Sequence, residues 1–286
     1  MKMAVIGCGL IGGSMALSWK RAGIVDEVIA FGHNPATLQK ALDKGAADTV
    51  MTSMEEAVKD ADIVVSAVPV EAMESVFTEM APFLKSDAVV TDVGSTRQTV
   101  IAAARKGLGD KFHQYAPAHP IAGGEMPGVD YASADLFDEK VVISTPDEGM
   151  DPKVVTFIEE AWRKAGARVQ AMSPLQHDLT FASVSHLPHV LAYALVDMIA
   201  REENAQEKLK MAGAGFRDFT RIASSSPVMW RDICLSNREA LSHELERYRA
   251  SLDTLQKYID ESDGKALESV FENAVRNRRG LVFPGK

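Results

Sequence analysis

The sequence predicts an α/β fold in two domains, with a mostly parallel sheet and its helices over residues 1–172 and an all-helical domain over residues 173–286. Three observations predict this fold class. An apolar run at residues 3–6 ends in a glycine-rich turn and leads directly into an Ala- and Leu-rich segment, which is the order strand, turn, helix. Further short apolar runs then alternate with helical segments. From residue 173 onward the pattern is helical almost to the end, so the strands belong to the first domain.

Composition excludes several classes of protein. The 286 residues carry a net charge of -9, whereas a nucleic-acid-binding surface needs clustered positive charge, so we expect a small-molecule partner and no nucleic acid. Glycines interrupt the apolar N-terminus, and no later stretch is expected to supply the roughly 20 apolar residues that span a bilayer. Cys8 and Cys234 lie far apart and are expected to be free thiols. We therefore predict a cytoplasmic protein without a membrane partner or a metal site.

The glycine-rich turn has the spacing Gly7-x-Gly9-x-x-Gly12. In this pattern Gly7 permits a tight turn, Gly9 lets the backbone approach a pyrophosphate, and Gly12 lets the helix pack closely on the strand. The free N–H groups at the helix start then bind phosphate oxygens. The motif therefore predicts a Rossmann domain that binds NAD or NADP. The predicted cofactor contacts are Gly7, Gly9, Leu10, Ile11 and Gly12 in the turn, His33 and Asn34 after the second strand, and Val68 and Pro69 at the end of a later strand.

The second strand, Glu27–Phe31, is expected to end beside the adenosine ribose. An acidic residue usually binds the ribose 2′-hydroxyl there, but Gly32-His33-Asn34 occupies the place. This segment has neither a carboxylate to repel a 2′-phosphate nor an arginine to bind one. The choice between NAD and NADP therefore stays open, with NAD slightly favoured.

Strands and helices alternate through the rest of the first domain. Continuous apolar runs predict buried parallel strands, and polar residues before a proline or three before a Glu or Gln predict helix starts. The further strands are expected at residues 61–69, 88–94, 141–144 and 167–172, and the helix starts at Asn34-Pro35, Ser53, Ser95 and Asp151-Pro152.

Two roles fit Ser95. In the pattern Ser95-x-x-Gln98 its side chain would cap the helix that reaches Gly107. It also follows a strand at the carboxyl edge of the sheet, where ligands collect in an open parallel sheet. Both roles can coexist, because a cap uses oxygen lone pairs and leaves the hydroxyl proton available.

His119 lies between Pro117 and Pro120 and is followed by Gly123-Gly124, so we expect it in a rigid loop. A histidine in such a place is either a hydrogen-bonded structural residue or an acid–base group near neutral pH. Spacing alone does not choose between these roles.

The helical domain begins at Ser173-Pro174, and its first helix is expected to run to about Arg201. Separations of three, four and seven residues place a polar stripe on this helix among apolar neighbours. The stripe is too polar for ordinary core and indicates a site, the alternative being a solvated face. Pro188 removes a backbone donor and predicts a kink. The stripe consists of Asp178, Ser185, His186 and His189.

Arg217 and Arg221 follow in a glycine-rich, basic segment of this acidic protein. The planar guanidinium fork suits a carboxylate ligand, and surface ion pairs are the alternative. Two long helices over about residues 236–261 and 265–279 complete the chain. Their apolar stripe is typical of a core or of a subunit contact.

Five segments of the chain are notable together: residues 7–14, Asp92-Val-Gly-Ser95, His119-Pro-Ile-Ala-Gly123, Ser185-His186-Leu-Pro-His189 and residues 216–223. In this order, and over nearly the whole chain, they resemble the prephenate/arogenate dehydrogenase family of tyrosine biosynthesis. The two segments with histidines are much more specific than the glycine turn, and their co-occurrence carries the resemblance.

This resemblance implies an active site between a Rossmann domain and a helical domain that dimerises. The implied reaction is the oxidative decarboxylation of prephenate or arogenate with NAD(P)+ as the hydride acceptor. In the family pattern His119 is the acid–base group at the ring hydroxyl, and Ser95 is hydrogen-bonded nearby. The implied substrate contacts are Ser185, His189 and Arg221, with Arg221 on a carboxylate, and the secondary candidates are Glu125, Asp178, His186, Arg217 and Trp230.

Two other functions remain alternatives at this point. A β-hydroxyacid dehydrogenase also joins a Rossmann domain to a helical one, but it is expected to carry a catalytic lysine in the first helix of that domain, and residues 177–189 contain none. A nicotinamide-binding redox sensor would need the cofactor site without an acid–base cluster. The sequence also leaves prephenate versus arogenate and tyrosine inhibition open, because both substrates carry the carboxylate and hydroxyl that the named residues address.

Overall fold

The computed structural model describes residues 1–124 and 126–281. Within them, the N-terminal part forms one sheet whose strands are β1 (Lys2–Ile6), β2 (Glu27–Phe31), β3 (Thr49–Met51), β4 (Ile63–Ser66), β5 (Val89–Asp92), β6 (Tyr115–Pro120), β7 (Val141–Ser144) and β8 (Arg168–Ala171). The strand order is β3-β2-β1-β4-β5-β6-β7-β8, and β1 to β6 are parallel, while β7 runs antiparallel to β6. The order of the first six strands is that of a Rossmann domain, which confirms the predicted α/β class.

Helices cover both faces of this sheet. In chain order they are α1 (Leu10–Arg21), α2 (Pro35–Asp43), α3 (Met54–Val58), α4 (Met73–Met80), α5 (Gln98–Leu108) and α6 (Pro152–Lys164). α1, α2 and α6 bury apolar side chains against one face, and α3, α4 and α5 against the other. In β1, Met3 and Val5 therefore face one core while Ala4 and Ile6 face the other, which explains why the run is continuously apolar.

Side chains cap several helices where the sequence predicts it. In each case an oxygen of the capping side chain accepts a hydrogen bond from a backbone N–H in the first turn of the helix. These helix starts are thus confirmed, and the caps are Asn34 for α2, Ser53 for α3 and Asp151 for α6.

The predicted cap at Ser95 is wrong. α5 begins at Gln98 with Arg97 as its N-cap residue, and the Arg97 side chain does not cap it. Instead, the carboxylate of Asp178 in the helical domain accepts the backbone N–H groups of Arg97 at 2.8 Å and Gln98 at 2.9 Å. A carboxylate suits a helix N-terminus both as an acceptor and by its charge. The Ser95 hydroxyl is therefore not used as a cap.

His119 lies in a strand and not in the predicted loop. It belongs to β6, which keeps its ladder through the pairs Thr91 with Ala116 and His119 with Ile143. The flanking prolines suggested a loop. Each proline removes only one backbone donor, however, and the strand tolerates this loss because its other residues stay paired. His119 is consequently held by the sheet, near its carboxyl edge.

The rest of the described chain is helical, as predicted. A Ser173 cap opens the first helix, which confirms that start. The boundary between domains after residue 172 stays a prediction. The helices are α7 (Pro174–Phe181), α8 (Leu187–Ala200), α9 (Ala205–Lys210), α10 (Ala214–Thr220), α11 (Pro227–Ser236), α12 (Arg238–Asp260) and α13 (Gly264–Gly280).

A π-helical turn, Ala182–His186, joins α7 to α8 at the place where a kink was predicted. Pro188 follows two residues later, and in a regular α-helix its ring would clash with the carbonyl four residues earlier. A π turn changes the hydrogen-bond spacing and removes that conflict. The side chains before and after the turn are thereby rotated relative to one another.

The continuous helical segment Pro174–Ala200 is long and apolar enough to cross a membrane, with a hydropathy of 1.4, which the sequence prediction did not foresee. Its first turns, however, carry His177 and Asp178, which are 0% and 1% exposed. Inside the protein, hydrogen bonds from the N-terminus of α5 and from His177 offset the cost of burying Asp178, whereas a carboxylate in a bilayer would lack such partners. Through these contacts the first turns of the segment pack against the N-terminal part of the chain.

Candidate active site

The glycines of the turn have the geometry that the motif predicts. Gly7 has a φ of +93°, and an added Cβ would lie 2.7 Å from the carbonyl oxygen of Ala67. At Gly12 an added Cβ would lie 2.5 Å from the Gly7 carbonyl oxygen. At Gly9 no described residue other than its two chain neighbours has an atom within 4 Å of the Cβ position. The turn is therefore closed to side chains where it packs and open where a pyrophosphate would approach.

The N-terminus of α1 offers hydrogen-bond donors to an anion. Its N-cap is a glycine without a capping side chain, and its first turn carries no acidic residue. The N–H groups of Leu10 and Ile11 lack intrahelical acceptors, and the helix dipole favours a negative group there. Val68 lines the turn, with its Cγ1 3.0 Å from the Cβ position of Gly7, and Pro69 beside it is exposed. These features fit the pyrophosphate of NAD or NADP.

The end of β2, where a ribose would lie, presents His33. The His33 side chain is exposed, and its ring packs against Phe31 with centroids 5.2 Å apart. Asn34 is used differently, because its Oδ1 accepts the backbone N–H of Ala36 at 2.9 Å and of Thr37 at 3.4 Å. The oxygen of the predicted cofactor contact Asn34 thus caps α2, and the predicted contact of His33 with a ribose stays a prediction.

His119 is a neutral base at the sheet edge. Its Nδ1 lies 2.8 Å from Nε2 of His177, and its ring packs against Phe181 with centroids 5.2 Å apart. Burial lowers the pKa of His119 well below its usual range, and the nearby His177 and Arg97 lower it further. The imidazole is therefore unprotonated at neutral pH, which is the form that accepts a proton.

Ser95 lies at the same edge of the sheet as His119. β5 and β6 are neighbouring parallel strands, and Asp92 pairs with the residue two positions before His119. Ser95 follows Asp92 by three residues, so both side chains stand at neighbouring strand ends. The loop after β6 also reaches the glycine turn, because Cδ2 of Leu10 lies 3.3 Å from the Cβ position of Gly124. His119 and the glycine turn therefore share one edge of the sheet.

A buried ion pair, which the sequence analysis missed, supports this edge. Nη2 of Arg97 lies 2.6 Å from Oδ2 of Asp92, and both side chains are fully buried. Tyr115 donates its hydroxyl to Asp92 at 2.5 Å, and burial raises the pKa of Tyr115 well above its usual range. The only signal in the sequence was a charged residue on each side of Ser95. The pair holds the turn that carries Ser95 against the sheet.

His186, a secondary candidate for substrate contact, has the contacts of a core residue. It is 1% exposed, and its Nδ1 lies 3.1 Å from Nδ2 of Asn237, which also donates to the Asp178 carbonyl at 2.8 Å. An amide nitrogen only donates, so Nδ1 of His186 is unprotonated. Burial lowers the pKa of His186 to about 4. The side chain therefore supports the helix from behind the site.

We expect His186 to make the protein acid-sensitive. Its pKa of about 4 in the folded state lies below the unfolded value of about 6.5, so the unfolded chain takes up a proton first as the pH falls. Stability is then lost between about pH 6.5 and about pH 4, at up to about 1.4 kcal/mol per pH unit from this group.

Urea unfolding at pH 7 and pH 5 measures this effect. The His186→Gln variant is expected to lose less stability between the two pH values than the wild type. The exposed His113 gives the control, because His113→Gln should keep the wild-type pH dependence. Equal pH dependence in His186→Gln and the wild type would contradict the prediction.

His189 stacks on Trp230, with ring centroids 3.6 Å apart and planes inclined by 20°. Its Nδ1 lies 2.8 Å from the carbonyl oxygen of Ser185, so Nδ1 carries a proton and Nε2 is the acceptor in the neutral ring. Burial lowers the pKa of His189, the bond to Ser185 opposes this shift, and the positive charge of Arg221 lowers it further. The charge of Arg221 is therefore felt at the His189 ring.

The two arginines of the glycine-rich segment differ in the charged or titratable groups around them. Arg217 in α10 has a side chain that is 78% exposed and lies 3.9 Å from the carboxylate of Asp218. This contact is the surface ion pair that was the alternative interpretation of Arg217, whose predicted substrate contact stays a prediction, and the charge of Arg221, which is also exposed, lowers the pKa of His189. Glu125, another predicted contact, lies outside the residues that the structure describes.

His177 is a site residue that the sequence analysis did not select. It is fully buried between His119 and Asp178, with its Nδ1 2.9 Å from Oδ1 of Asp178. The available signal was its place directly before Asp178, which belonged to the polar stripe. Together these side chains connect the sheet edge to the helical domain.

Two protein-family models match the chain. "Prephenate dehydrogenase, nucleotide-binding domain" matches residues 15–171, and "Prephenate dehydrogenase, dimerization domain" matches residues 173–273. The chain belongs to the prephenate dehydrogenase family. It is therefore an oxidoreductase with an N-terminal NAD(P)-binding Rossmann domain, and the family resemblance found in the sequence is confirmed.

Relatives match nearly the full length of the chain. Cyclohexadienyl dehydrogenase of Zymomonas mobilis is 36% identical over 98% of this chain and 95% of that protein. Prephenate dehydrogenase of A. aeolicus, in complex with hydroxyphenyl propionate and NAD+, is 34% identical with a TM-score of 0.90 over 98% of both chains. Arogenate dehydrogenase of Synechocystis is 27% identical with a TM-score of 0.82 over 99% of this chain and 100% of that one. The β-hydroxyacid dehydrogenase and redox-sensor alternatives are not favoured.

Proposed function

We propose that this chain catalyses the oxidative decarboxylation of prephenate, arogenate or both, with NAD(P)+ as the hydride acceptor, in tyrosine biosynthesis. The observation that carries the proposal is the neutral His119 at the carboxyl edge of the sheet, beside Ser95 and next to the glycine turn. A base at this place can take the proton of a hydroxyl group close to a bound nicotinamide. Membership of the family supports the same reaction.

The substrate is a cyclohexadienol with a hydroxyl group and a carboxylate on opposite ring carbons. NAD(P)+, held by the glycine turn and the start of α1, would supply the acceptor for the hydride of the hydroxyl-bearing carbon. His119 takes the hydroxyl proton on its ring nitrogen, and Ser95 holds the oxygen by a hydrogen bond. The carboxylate leaves as CO2, and its bonding electrons complete the aromatic ring. His119 then returns its proton to the phenolate oxygen, so the substrate loses one hydride and one CO2 overall.

Residues of the helical domain hold the substrate. Arg221 binds a carboxylate through its guanidinium fork. His189 offers Nε2 to a polar group of the substrate, because its Nδ1 is bonded to the carbonyl of Ser185 and its ring plane is set by Trp230. These residues address groups that prephenate and arogenate share, so the enzyme is expected to tolerate both.

Four parallel assays test the proposal, with prephenate and arogenate each supplied with NAD+ and NADP+. The absorbance of the reduced nicotinamide reports turnover, and kcat/KM ratios identify the preferred pair. Turnover is expected in at least one assay. Its absence in all four, with folded protein that still binds the cofactor, would contradict the proposed function.

We propose NAD as the preferred cofactor, since a relative was solved with NAD+ and the end of β2 lacks a basic cluster for a 2′-phosphate. Replacing His33 by Asp should lower kcat/KM for NADP at least about tenfold relative to NAD, because a carboxylate accepts the 2′-hydroxyl and repels a 2′-phosphate. Steady-state assays with both cofactors measure the ratio. His113→Asp adds the same charge at an exposed position in a 3₁₀ turn and should leave the ratio unchanged. An unchanged ratio in His33→Asp would remove His33 from the ribose site.

We infer a homodimer formed through the C-terminal helices, with a second copy of this chain as the partner. The second family model describes a dimerization domain. α13 lines an open groove of about 850 Å³ with Leu267, Phe271 and Val275. Apolar surface of this kind is typical of a subunit interface. The exposed apolar residues of the helical domain include Val184, Met198, Leu252, Ile259, Val270, Phe271 and Val275.

Replacing Phe271 by Asp is expected to convert the dimer to monomer, because a charge in the groove would be buried without a partner. Light scattering after size-exclusion chromatography measures the mass. Gln39→Glu adds a charge on α2 and should leave the dimer intact. A Phe271→Asp protein that stays dimeric would place the interface elsewhere.

We propose a cytoplasmic location. Cys8 and Cys234 are both free, and burial raises the pKa of Cys8 to about 11, so that it stays a thiol in the glycine turn. Free thiols are typical of a reducing compartment.

A further inference from the structure

Three side chains form a hydrogen-bonded line from the sheet edge into the contact between the domains. Nδ1 of His119 lies 2.8 Å from Nε2 of His177, and Nδ1 of His177 lies 2.9 Å from Oδ1 of Asp178. The His177 ring is fully buried and stacks on Phe181 with centroids 4.4 Å apart. Packing therefore holds His177 in one orientation between the base and the carboxylate.

The carboxylate at the inner end determines where each proton lies. Burial alone raises the pKa of Asp178, but hydrogen bonds from His177 and from the backbone N–H groups of Arg97 and Gln98 lower it below its usual value. An ionised carboxylate only accepts, so His177 carries its proton on Nδ1 and leaves Nε2 as an acceptor. His119 then donates from Nδ1 to that acceptor, and its own Nε2 keeps the lone pair.

We propose that His177 is a positioning residue, which accepts the Nδ1 proton of His119 and thereby holds the tautomer whose Nε2 receives the substrate's hydroxyl proton. The inference rests on the proposed role of His119 as the base. When Nε2 takes that proton, His119 becomes an imidazolium with both nitrogens protonated, and no proton passes to His177. The charge of Asp178, at the other end of His177, stabilises this cation.

The other ionisable groups around the base do not replace Asp178. Arg97 opposes an imidazolium, but it is paired with Asp92, to which Tyr115 also donates. His186 is neutral, because burial lowers its pKa to about 4. Asp178 accepts the backbone N–H groups of Arg97 and Gln98, which are uncharged, and the Nδ1 proton of His177, so it is the carboxylate bonded directly to the line.

The His177→Phe variant removes the acceptor, keeps an aromatic ring against Phe181, and leaves the bonds of Asp178 to α5 in place. We expect kcat to fall about 10- to 100-fold, with substrate KM and the NAD(P) Kd changed by less than about threefold. The acidic limb of the kcat pH profile should move to lower pH, because the imidazolium of His119 loses its support. A purely structural role would not produce this combination.

Two amide variants make the comparison specific. In His177→Gln the amide oxygen can lie near the position of Nε2 and accept from His119, so kcat should largely recover. His177→Asn is too short to reach His119 and should resemble His177→Phe. If His177→Phe fails to fold, as judged by circular dichroism, the two amide variants give the same comparison. Equal kcat in His177→Gln and His177→Asn, or wild-type kcat and pH profile in a folded His177→Phe, would overturn the proposal.

Nuclear magnetic resonance can also determine the tautomer of His119, without any turnover. In the NAD+-bound protein labelled with ¹⁵N-histidine, the His119 signals are assigned by their loss in His119→Asn, and the proton is expected on Nδ1. In His177→Phe it should move wholly or partly to Nε2. A proton on Nε2 of His119 in the wild type would overturn the proposal. Absent turnover with the expected tautomer would contradict the proposed function alone.

Discussion

Replacing His119 by Asn is expected to lower kcat by about 10²- to 10⁴-fold, the range that a general base contributes. The amide is similar in size to the imidazole and can still hydrogen-bond to His177, but neither of its polar atoms takes up a proton at neutral pH. NAD(P) binding should be unchanged, because the glycine turn and α1 hold the pyrophosphate. Steady-state kinetics measure kcat, and a fluorescence titration measures the Kd of the cofactor.

The control is His113→Asn, an exposed histidine whose Nδ1 lies 2.8 Å from the Asp110 carbonyl oxygen. This variant should keep wild-type kcat, since surface substitutions away from a site usually have small effects. Near-wild-type turnover in His119→Asn would remove His119 from the mechanism. Loss of cofactor binding in that variant would mean that its effect is not confined to proton transfer.

Replacing Arg221 by Ala is expected to weaken substrate binding by about 2 to 5 kcal/mol, or roughly 30- to 5,000-fold in KM where KM reflects binding. The reason is that a carboxylate would be left desolvated without its charged partner. Arg221 itself is exposed, and its charge lowers the pKa of the part-buried His189, so a carboxylate bound to Arg221 would lie near that ring. Because Arg221 takes no part in proton transfer, kcat at saturating substrate should fall much less than kcat/KM.

Arg201→Ala is the matched control for Arg221→Ala. Arg201 lies on the surface in an exposed pair with Asp197, and such pairs contribute about 0 to 1 kcal/mol. Its KM should therefore be that of the wild type, and Arg217→Ala should behave in the same way. An unchanged KM in Arg221→Ala would contradict its assignment, and a large effect in Arg217→Ala would support Arg217 as a substrate contact.

Local features of the fold could be predicted because their causes lie close in the chain. Gly12 must be glycine because the carbonyl of Gly7, five residues earlier, would lie 2.5 Å from its Cβ. Asn34 and Asp151 cap helices through backbone N–H groups two residues later. Such contacts repeat in any chain with the same short pattern, so the sequence is enough to predict them.

Contacts between distant segments could not be predicted in this way. The Ser95 pattern has the form of a helix cap, but Asp178, 80 residues after Gln98, supplies the acceptor. His119 was expected in a loop, because the prolines are visible in the sequence and the pairing with Ile143 on β7 is not. Each failure concerns a hydrogen bond whose partner comes from another part of the chain.

The sequence by itself determined the two-part fold, the dinucleotide turn and the presence of His119, His189 and Arg221 as chemical groups. Only the tertiary structure decided the protonation state and the tautomer of the histidines. It buries His119 against His177 and His186 against Asn237, so both rings are neutral and their tautomers are set by their partners. Desolvation and hydrogen-bond pairing depend on neighbours in space, and those neighbours come from both domains.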